Sequence, residues 1–262
     1  MISYKKVQDV INRENKTGQQ SSAVDTRGKA LASCWRGAGA AQRMMNILSP
    51  HMANSVANEY INWMAGRGCN TAHVILCNEG DGEYAGYCPY GTAWTGNANP
   101  PTIMSMLARM SKIKAAGMNI VVWIFADDGP TFNRKTDAEY VKLFNTCATV
   151  GFFARSEHIS LGIEVNEYFS KSRVQGLADN LRRFGKPIAI HQTSDRTDYA
   201  SAADIFYFQM NPGASASKVE SAVRSAASKV GKPLVAFELA RTENRGLCEA
   251  AFRGGAIGVG NW

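Results

Sequence analysis

Short apolar runs alternate along this chain with longer segments of helical period, and this alternation restricts the possible folds more than any other feature. The runs are rich in β-branched and aromatic residues and stay apolar at nearly every position, which is typical of parallel strands buried on both faces. Alternating strands and helices predict βαβ units around one parallel sheet. Eight strands are expected, at residues 30–37, 71–78, 119–126, 158–165, 187–193, 204–211, 233–240 and 256–262.

The segments between the runs carry helix signals. Thr136 and Glu139 have the spacing of a capping box, and two later segments end on Gly-Lys-Pro directly before a strand. At 262 residues the chain has the size of one eight-stranded α/β barrel. We therefore expect a single (β/α)8 TIM barrel over residues 30–262. Its final helix is expected to be missing or replaced by the N-terminal segment 1–29, which would pack on the barrel.

Composition narrows the classes of function. Charged residues make up 19% of the chain and hydrophobic residues 45%, which is typical of a globular domain. The net charge is +7, but the basic residues are scattered, whereas nucleic-acid binding needs a concentrated basic patch. No apolar run reaches the roughly 20 residues of a membrane span, and the polar N-terminus lacks the apolar core of a secretory signal. We expect no nucleic-acid or membrane partner, and a protein that is cytoplasmic, released by lysis or carried on a phage particle.

The six cysteines contain no CxxC pair, so the sequence lacks a zinc site built on that motif. Cys34, Cys77 and Cys147 lie in apolar surroundings, which is typical of reduced, buried thiols. Cys77 and Cys88 flank part of a loop, and the sequence leaves open whether they form a disulfide. No metal and no cofactor are expected.

Two glutamates stand at the ends of the fourth and seventh runs, Glu167 and Glu238. Catalytic groups of α/β barrels project from the carboxyl ends of the strands. Two glutamates that face each other across the barrel mouth can cleave a glycosidic bond. The pair is therefore the first candidate for catalysis.

Alternation along the strands predicts which side chains point inward. If Val235, Phe237 and Leu239 face the surrounding helices, then Glu238 points into the barrel. On the fourth strand the same rule turns Glu164 and neighbouring Asn166 inward, with Glu167 at the strand end beyond them.

The Asn166-Glu167 pair on strand four, followed by an inward glutamate on strand seven, resembles the clan A glycoside hydrolases. This resemblance implies that Asn166 bonds the 2-hydroxyl of the sugar, Glu167 protonates the leaving oxygen and Glu238 attacks the anomeric carbon. Tyr168 stands where many members have proline, and the exchange of roles between Glu164 and Glu167 stays open. Retention of configuration requires carboxyl groups about 5–5.5 Å apart, and we expect that separation for Glu167 and Glu238.

Polar side chains at nearly every other strand end suit a ligand rich in hydroxyl groups, and an aromatic residue such as Trp94 or Trp262 could stack on a sugar ring. The long loop 79–101 favours a polymer over a small glycoside. The expected sugar-binding rim comprises Arg36, Asn78, Glu79, Asp127, Glu164, Asn166, His191, Gln209 and Trp262.

Other barrel activities fit the sequence less well. A metal-dependent hydrolase needs clustered histidines, and the four histidines are dispersed; a Schiff-base aldolase needs an inward lysine, and no predicted strand carries one. The Arg253–Gly255 stretch lies at the wrong end of strand eight for a phosphate site. We expect a retaining, endo-acting glycoside hydrolase of a cell-wall, capsular or other polysaccharide. A carbohydrate-binding or structural barrel without catalysis stays open, as does the oligomeric state.

Overall fold

The computed structural model describes residues 31–33, 44–80, 82–90, 98–127, 132–193, 196–210, 213–239 and 245–260. Its strands are β1 (Leu31–Ser33), β2 (Thr71–Cys77), β3 (Asn119–Phe125), β4 (His158–Gly162), β5 (Ile188–Gln192), β6 (Ile205–Gln209), β7 (Leu234–Phe237) and β8 (Gly258–Gly260). Its helices are α1 (Asn54–Gly66), α2 (Pro100–Ala115), α3 (Asp137–Thr149), α4 (Phe152–Arg155), α5 (Val165–Tyr168), α6 (Lys171–Arg182), α7 (Ala216–Val230) and α8 (Arg245–Arg253).

The strands form one parallel sheet in the order β1-β8-β7-β6-β5-β4-β3-β2. The two edge strands, β1 and β2, approach each other within 8 Å between Cα atoms, so the sheet curls back toward itself. Side chains from strands that are not neighbours also meet: the ring centroids of His73 on β2 and Phe237 on β7 are 5.3 Å apart. The expected α/β class with a barrel-like parallel sheet is confirmed.

The helix signals of the sequence are confirmed where the structure describes them. Thr136 and Glu139 form the capping box that begins α3. Gly231 ends α7 in a left-handed conformation, with φ of 61°, directly before β7. Between β5 and β6 the described residues contain only a short 3₁₀ turn, Ala200–Ala202, because about ten residues cannot hold a full crossover helix. The segment 1–29 lies outside the described residues.

The fourth strand ends earlier than the sequence predicts. β4 stops at Gly162 instead of 165, and the chain turns at Glu164 into the one-turn helix α5. A left-handed residue cannot continue a strand, so the sheet does not extend past Glu164 to Val165. The prediction that Glu167 closes a strand is therefore wrong.

Aromatic side chains and histidine side chains fill the interior of the curled sheet, below the carboxyl ends of the strands. Trp123 stacks on Phe237 with 5.3 Å between ring centroids and donates its Nε1–H to Nδ1 of His73 at 3.0 Å. Tyr207 lies edge-on to Trp123 and bonds Nε2 of His158 through its hydroxyl at 2.8 Å. Three of the four histidines, dispersed in sequence, thus come together in the core because they lie on the inward faces of β2, β4 and β5.

A buried arginine ties the segment before α1 to helix α2. Arg109 is 3% exposed and donates to the backbone oxygens of Ile47, Ser49 and Met52 and to Oδ1 of Asn54. Burial lowers the pKa of this guanidinium, and the carbonyl dipoles are what compensates its charge.

We expect Arg109→Met to lower the free energy of unfolding by about 3 kcal/mol, because it removes the buried guanidinium that donates to these backbone carbonyls and to Asn54. Urea unfolding measures this loss. Lys112→Ala, on the exposed face of the same helix, is the matched control and should change stability by no more than about 0.5 kcal/mol. Equal effects of the two changes would contradict the structural role of Arg109.

Among the described residues, the helices are too short or too polar to cross a membrane.

Candidate active site

Two glutamates and one glutamine meet at the carboxyl ends of β4, β6 and β7. Gln209, the last residue of β6, donates from Nε2 to Oε1 of Glu164 at 2.8 Å and to Oε2 of Glu238 at 2.7 Å. Because both carboxylate oxygens bond the same nitrogen, they lie at most about 5.5 Å apart. The pair that the structure brings together is therefore Glu164 and Glu238.

Both glutamates have left-handed backbones, with φ of 46° at Glu164 and 55° at Glu238. Among the described residues, only Tyr84 shares this feature outside glycine. A left-handed backbone at a residue with a Cβ costs about 1–3 kcal/mol and is concentrated at functional sites. The surrounding structure therefore holds two strained residues at the same place.

The left-handed turn also explains how Glu238 reaches the mouth. Phe237 was expected to face the helices, but its ring packs in the barrel interior against Trp123 and His191. Strict alternation would then point the next side chain outward. Glu238 lies just past the end of β7, where the positive φ redirects it towards Gln209. The expected direction of Glu238 is confirmed, but the alternation used to derive it is wrong.

The half-buried carboxyl group of Glu164 has a strongly raised pKa. Burial raises its pKa to about 8, and the negative charges of Asp127, Glu238 and Glu167 contribute to the increase. The hydrogen bond from Gln209 opposes the shift without cancelling it. A carboxyl group with this pKa is mostly protonated at neutral pH, which is the state that a general acid needs.

His191 holds the backbone of Glu164. Its Nδ1 accepts the backbone N–H of Glu164 at 3.1 Å, and its ring is fully buried against Trp123 and Phe237. Burial lowers the pKa of His191 to about 3, so the ring is neutral and Nδ1 is free to accept. The fully buried His191 ring therefore positions the backbone of Glu164.

Glu167 lies beside the pair rather than in it. It is exposed on α5, and its carboxylate lies within 4.8 Å of those of Glu164 and Asp127. Asp127 accepts a hydrogen bond from the Tyr168 hydroxyl and is thereby held near Glu164. Three oxygen ligands of this kind could coordinate a hard divalent cation. Exposed acidic groups often cluster without an ion, and we assign no metal here.

Asn166 and Asn78 are occupied by protein contacts. Asn166 donates to the Thr193 hydroxyl at 2.5 Å and accepts the Thr193 backbone N–H at 2.8 Å, so it ties α5 to the end of β5. The side chain of Asn78 is buried and donates to Asn46 at 2.9 Å. Glu79 follows Asn78 at the same strand end and is partly buried.

Three predicted site residues lie outside the described residues: Arg36, Trp94 and Trp262. Sequence reasoning also missed two residues that support the site, Tyr168 and Thr193. The only available signal for them was that each lies within one or two residues of a predicted strand end or acidic group.

The fold is similar to that of solved glycoside hydrolases. A glycoside hydrolase family 5 structure from Bacteroides vulgatus has a TM-score of 0.64 and 15% identity over 87% of this chain. An endo-1,4-β-mannanase from Rhizomucor miehei has a TM-score of 0.61 and 9% identity, covering 87% of this chain and 85% of its own. A GH5_18 structure from Bifidobacterium longum in complex with Manβ1-4GlcNAc has a TM-score of 0.60 and 11% identity, covering 89% of this chain and 68% of its own.

A second Bacteroides vulgatus structure has a TM-score of 0.66 and 12% identity over 89% of this chain. The chain spans 59% of the first Bacteroides vulgatus protein and 51% of the second. No protein-family model and no curated protein sequence matches the chain. The expected resemblance to clan A glycoside hydrolases is confirmed at the level of fold, since the structural neighbours include family 5 members. Identities this low show the fold alone.

Proposed function

We propose that this protein is a retaining glycoside hydrolase in which Glu164 is the acid/base and Glu238 the nucleophile. The observation that supports the proposal is the single Gln209 amide, which bonds one oxygen of each carboxylate and keeps these two oxygens within about 5.5 Å of each other. That separation is typical of retaining enzymes, whereas inverting enzymes leave about 6.5–9.5 Å for a water molecule. Glu164 replaces Glu167, which the family resemblance had favoured.

The environment of each glutamate suits its role. Glu164, kept protonated by burial and by neighbouring negative charges, would protonate the leaving oxygen and then act as base on the incoming water. Glu238, held by Gln209 at the end of β7, would attack the anomeric carbon as a carboxylate. Gln209 donates to both groups and would orient both for reaction without supplying a proton.

The proposal places this pair at the mouth of a complete (β/α)8 barrel. The approach of β1 to β2 supports closure, although no ladder joins them in the described part of the chain. In this proposal residues 30–262 are the catalytic domain.

The substrate that we propose is a polysaccharide. Two structural neighbours are endo-1,4-β-mannanases and another holds a mannose-containing disaccharide, so β-mannan is the first polymer to test. The net charge of +7 favours acidic cell-wall, capsular or exopolysaccharides as the second group.

The test is digestion of a panel of soluble β-mannan, β-glucan, peptidoglycan and acidic capsular polymers, followed by mass spectrometry of the products. Cleavage with the anomeric configuration retained, read by proton NMR in the first minutes, is the expected result. An inverted product would contradict the retaining mechanism. Binding of a glycan without cleavage would favour a non-catalytic carbohydrate-binding barrel.

We expect the pH profile of kcat/KM to fall on its basic side at about pH 8, because Glu164 must be protonated and loses its proton there. Asp127→Asn keeps an acceptor for the Tyr168 hydroxyl but removes a negative charge, which lowers the pKa of Glu164. The basic limb should then move to lower pH by about one unit.

Asp137→Asn is the matched control, since Asp137 is exposed and pairs with Arg173. It should leave the basic limb in place. A basic limb that Asp127→Asn does not move would show that Glu164 is not the acid.

A further inference from the structure

Two free thiols lie opposite each other at the carboxyl end of β2, the end of the parallel sheet that also carries the candidate site. Asn78 and Tyr87 form an isolated antiparallel bridge in which each backbone N–H donates to the other's carbonyl at 2.9 Å. The residues next to such a hydrogen-bonded pair form a non-hydrogen-bonded pair, whose Cα atoms lie about 4.5 Å apart. Cys77 and Cys88 occupy these positions.

This placement suits a disulfide. Disulfides need Cα atoms about 4.4–6.8 Å apart and side chains that point toward each other. In this register both side chains lie on the same face of the bridge, and the Cys88 thiol is close enough to help raise the pKa of the Cys77 thiol. Both are free and fully buried in the structure. No change of backbone register is needed to join them.

We propose that Cys77 and Cys88 are an oxidisable pair that a small disulfide oxidant converts into a cross-strand disulfide. Two thiol–disulfide exchanges complete the reaction: one cysteine thiolate attacks the oxidant and releases one thiol, and the other cysteine then displaces the second thiol. Two cysteine thiols are oxidised, one oxidant disulfide is reduced to two thiols, and the S–S bond joins Cys77 to Cys88. The inference does not depend on the proposed function.

The surroundings predict that the reaction is slow. Burial and the contact with Cys88 raise the pKa of the Cys77 thiol well above its ordinary value, so little thiolate forms at neutral pH. Both sulfurs are shielded, so the oxidant must wait for the short hairpin between them to open. The hairpin is held by Asn46, which bonds the Glu83 carbonyl and the side chains of Asn78 and Tyr87.

The bond would covalently close the ring of residues 77–88. This ring carries Asn78 and Glu79 at the end of β2. Oxidation would therefore fix one wall of the barrel mouth without altering the residues at β4, β6 and β7.

The experiment treats the folded full chain with oxidised glutathione at pH 8 and blocks the remaining thiols with iodoacetamide under denaturing conditions. Glutamyl endopeptidase then cuts at Glu79 and Glu83, between the two cysteines. The expected result is a pair of joined peptides, lighter by about 2 Da than the sum of the free peptides and separated by dithiothreitol. Fragmentation should place the bond at Cys77 and not at Cys69, which lies in the same peptide.

Cys147 is the informative control, because its buried thiol interacts with Cys88 from α3. Cys147→Ser should still give the Cys77–Cys88 peptide, and Cys88→Ser should give none. Cross-linking of Cys88 to Cys147, or glutathione adducts without a Cys77–Cys88 peptide, would overturn the proposal. The mapping of unaltered protein decides the question even if a serine variant folds poorly.

Discussion

Glu164→Gln and Glu238→Gln should each lower kcat/KM by about a thousandfold or more, the largest effect on activity that we expect in this protein. Glutamine keeps the volume and one acceptor oxygen but can neither give up a proton nor form the glycosyl ester. Gln209 can still donate to both positions, so the geometry of the pair should survive. The measurement is steady-state hydrolysis of whichever polymer the digestion panel identifies.

Glu167→Gln is the matched control three residues away. Glu167 is exposed and does not share the Gln209 amide, so we expect its loss to change kcat/KM by less than about tenfold. Equal thermal unfolding midpoints would exclude misfolding as the cause in any variant. Loss of activity in Glu167→Gln with activity preserved in Glu164→Gln would restore Glu167 as the acid and refute our assignment.

Acid should destabilise the protein, because unfolding exposes buried histidine side chains that then bind protons. Burial lowers the pKa of His158 and His191 to about 3 and lowers that of His73 well below its ordinary value. Between pH 3 and about 6.5 the unfolded chain binds protons on these rings that the folded chain excludes, so stability falls as pH drops through that range. His158 and His191 should each cost about 2 kcal/mol between pH 7 and pH 5, and His73 should act in the same direction. This loss is a large part of the stability of a typical domain, about 5–15 kcal/mol.

Urea unfolding at pH 7, 6 and 5 tests this expectation. His158→Gln removes one site of proton uptake, and the dependence of stability on pH should become shallower by about 1.4 kcal/mol per pH unit. His51→Gln is the control, since the His51 side chain is exposed and its ring bonds the Gly86 carbonyl. Stability that stays constant from pH 7 to pH 5 would contradict the prediction.

The sheet could be predicted from the sequence because burial on both faces leaves long apolar runs. β2, β3 and β6 begin and end within two residues of their predicted bounds. β4 could not be bounded in this way, because Ile163 and Val165 continue the apolar pattern past the turn at Glu164. A left-handed φ does not change the spacing of hydrophobic residues along the sequence, so the turn at Glu164 could not be predicted from that spacing.

The candidate site was only partly predictable for a related reason. The sequence indicated carboxylates on the fourth and seventh strands and a glutamine on the sixth. It could not show that one amide bonds Glu164 and Glu238, since these residues lie 45 and 29 positions from Gln209. Alternation also predicted the wrong face for Phe237. The prediction extended the strand to Glu238, but β7 ends at Phe237 and alternation does not apply beyond that point.

The left-handed glutamates have a consequence for protein engineering. Glycine adopts their backbone conformation without strain, so Glu164→Gly and Glu238→Gly would relieve about 1 kcal/mol each. A library selected for heat resistance alone would therefore enrich substitutions at the two positions that we assign to catalysis. Its most robust members would be inactive, and any thermostabilisation of this protein must keep both codons fixed.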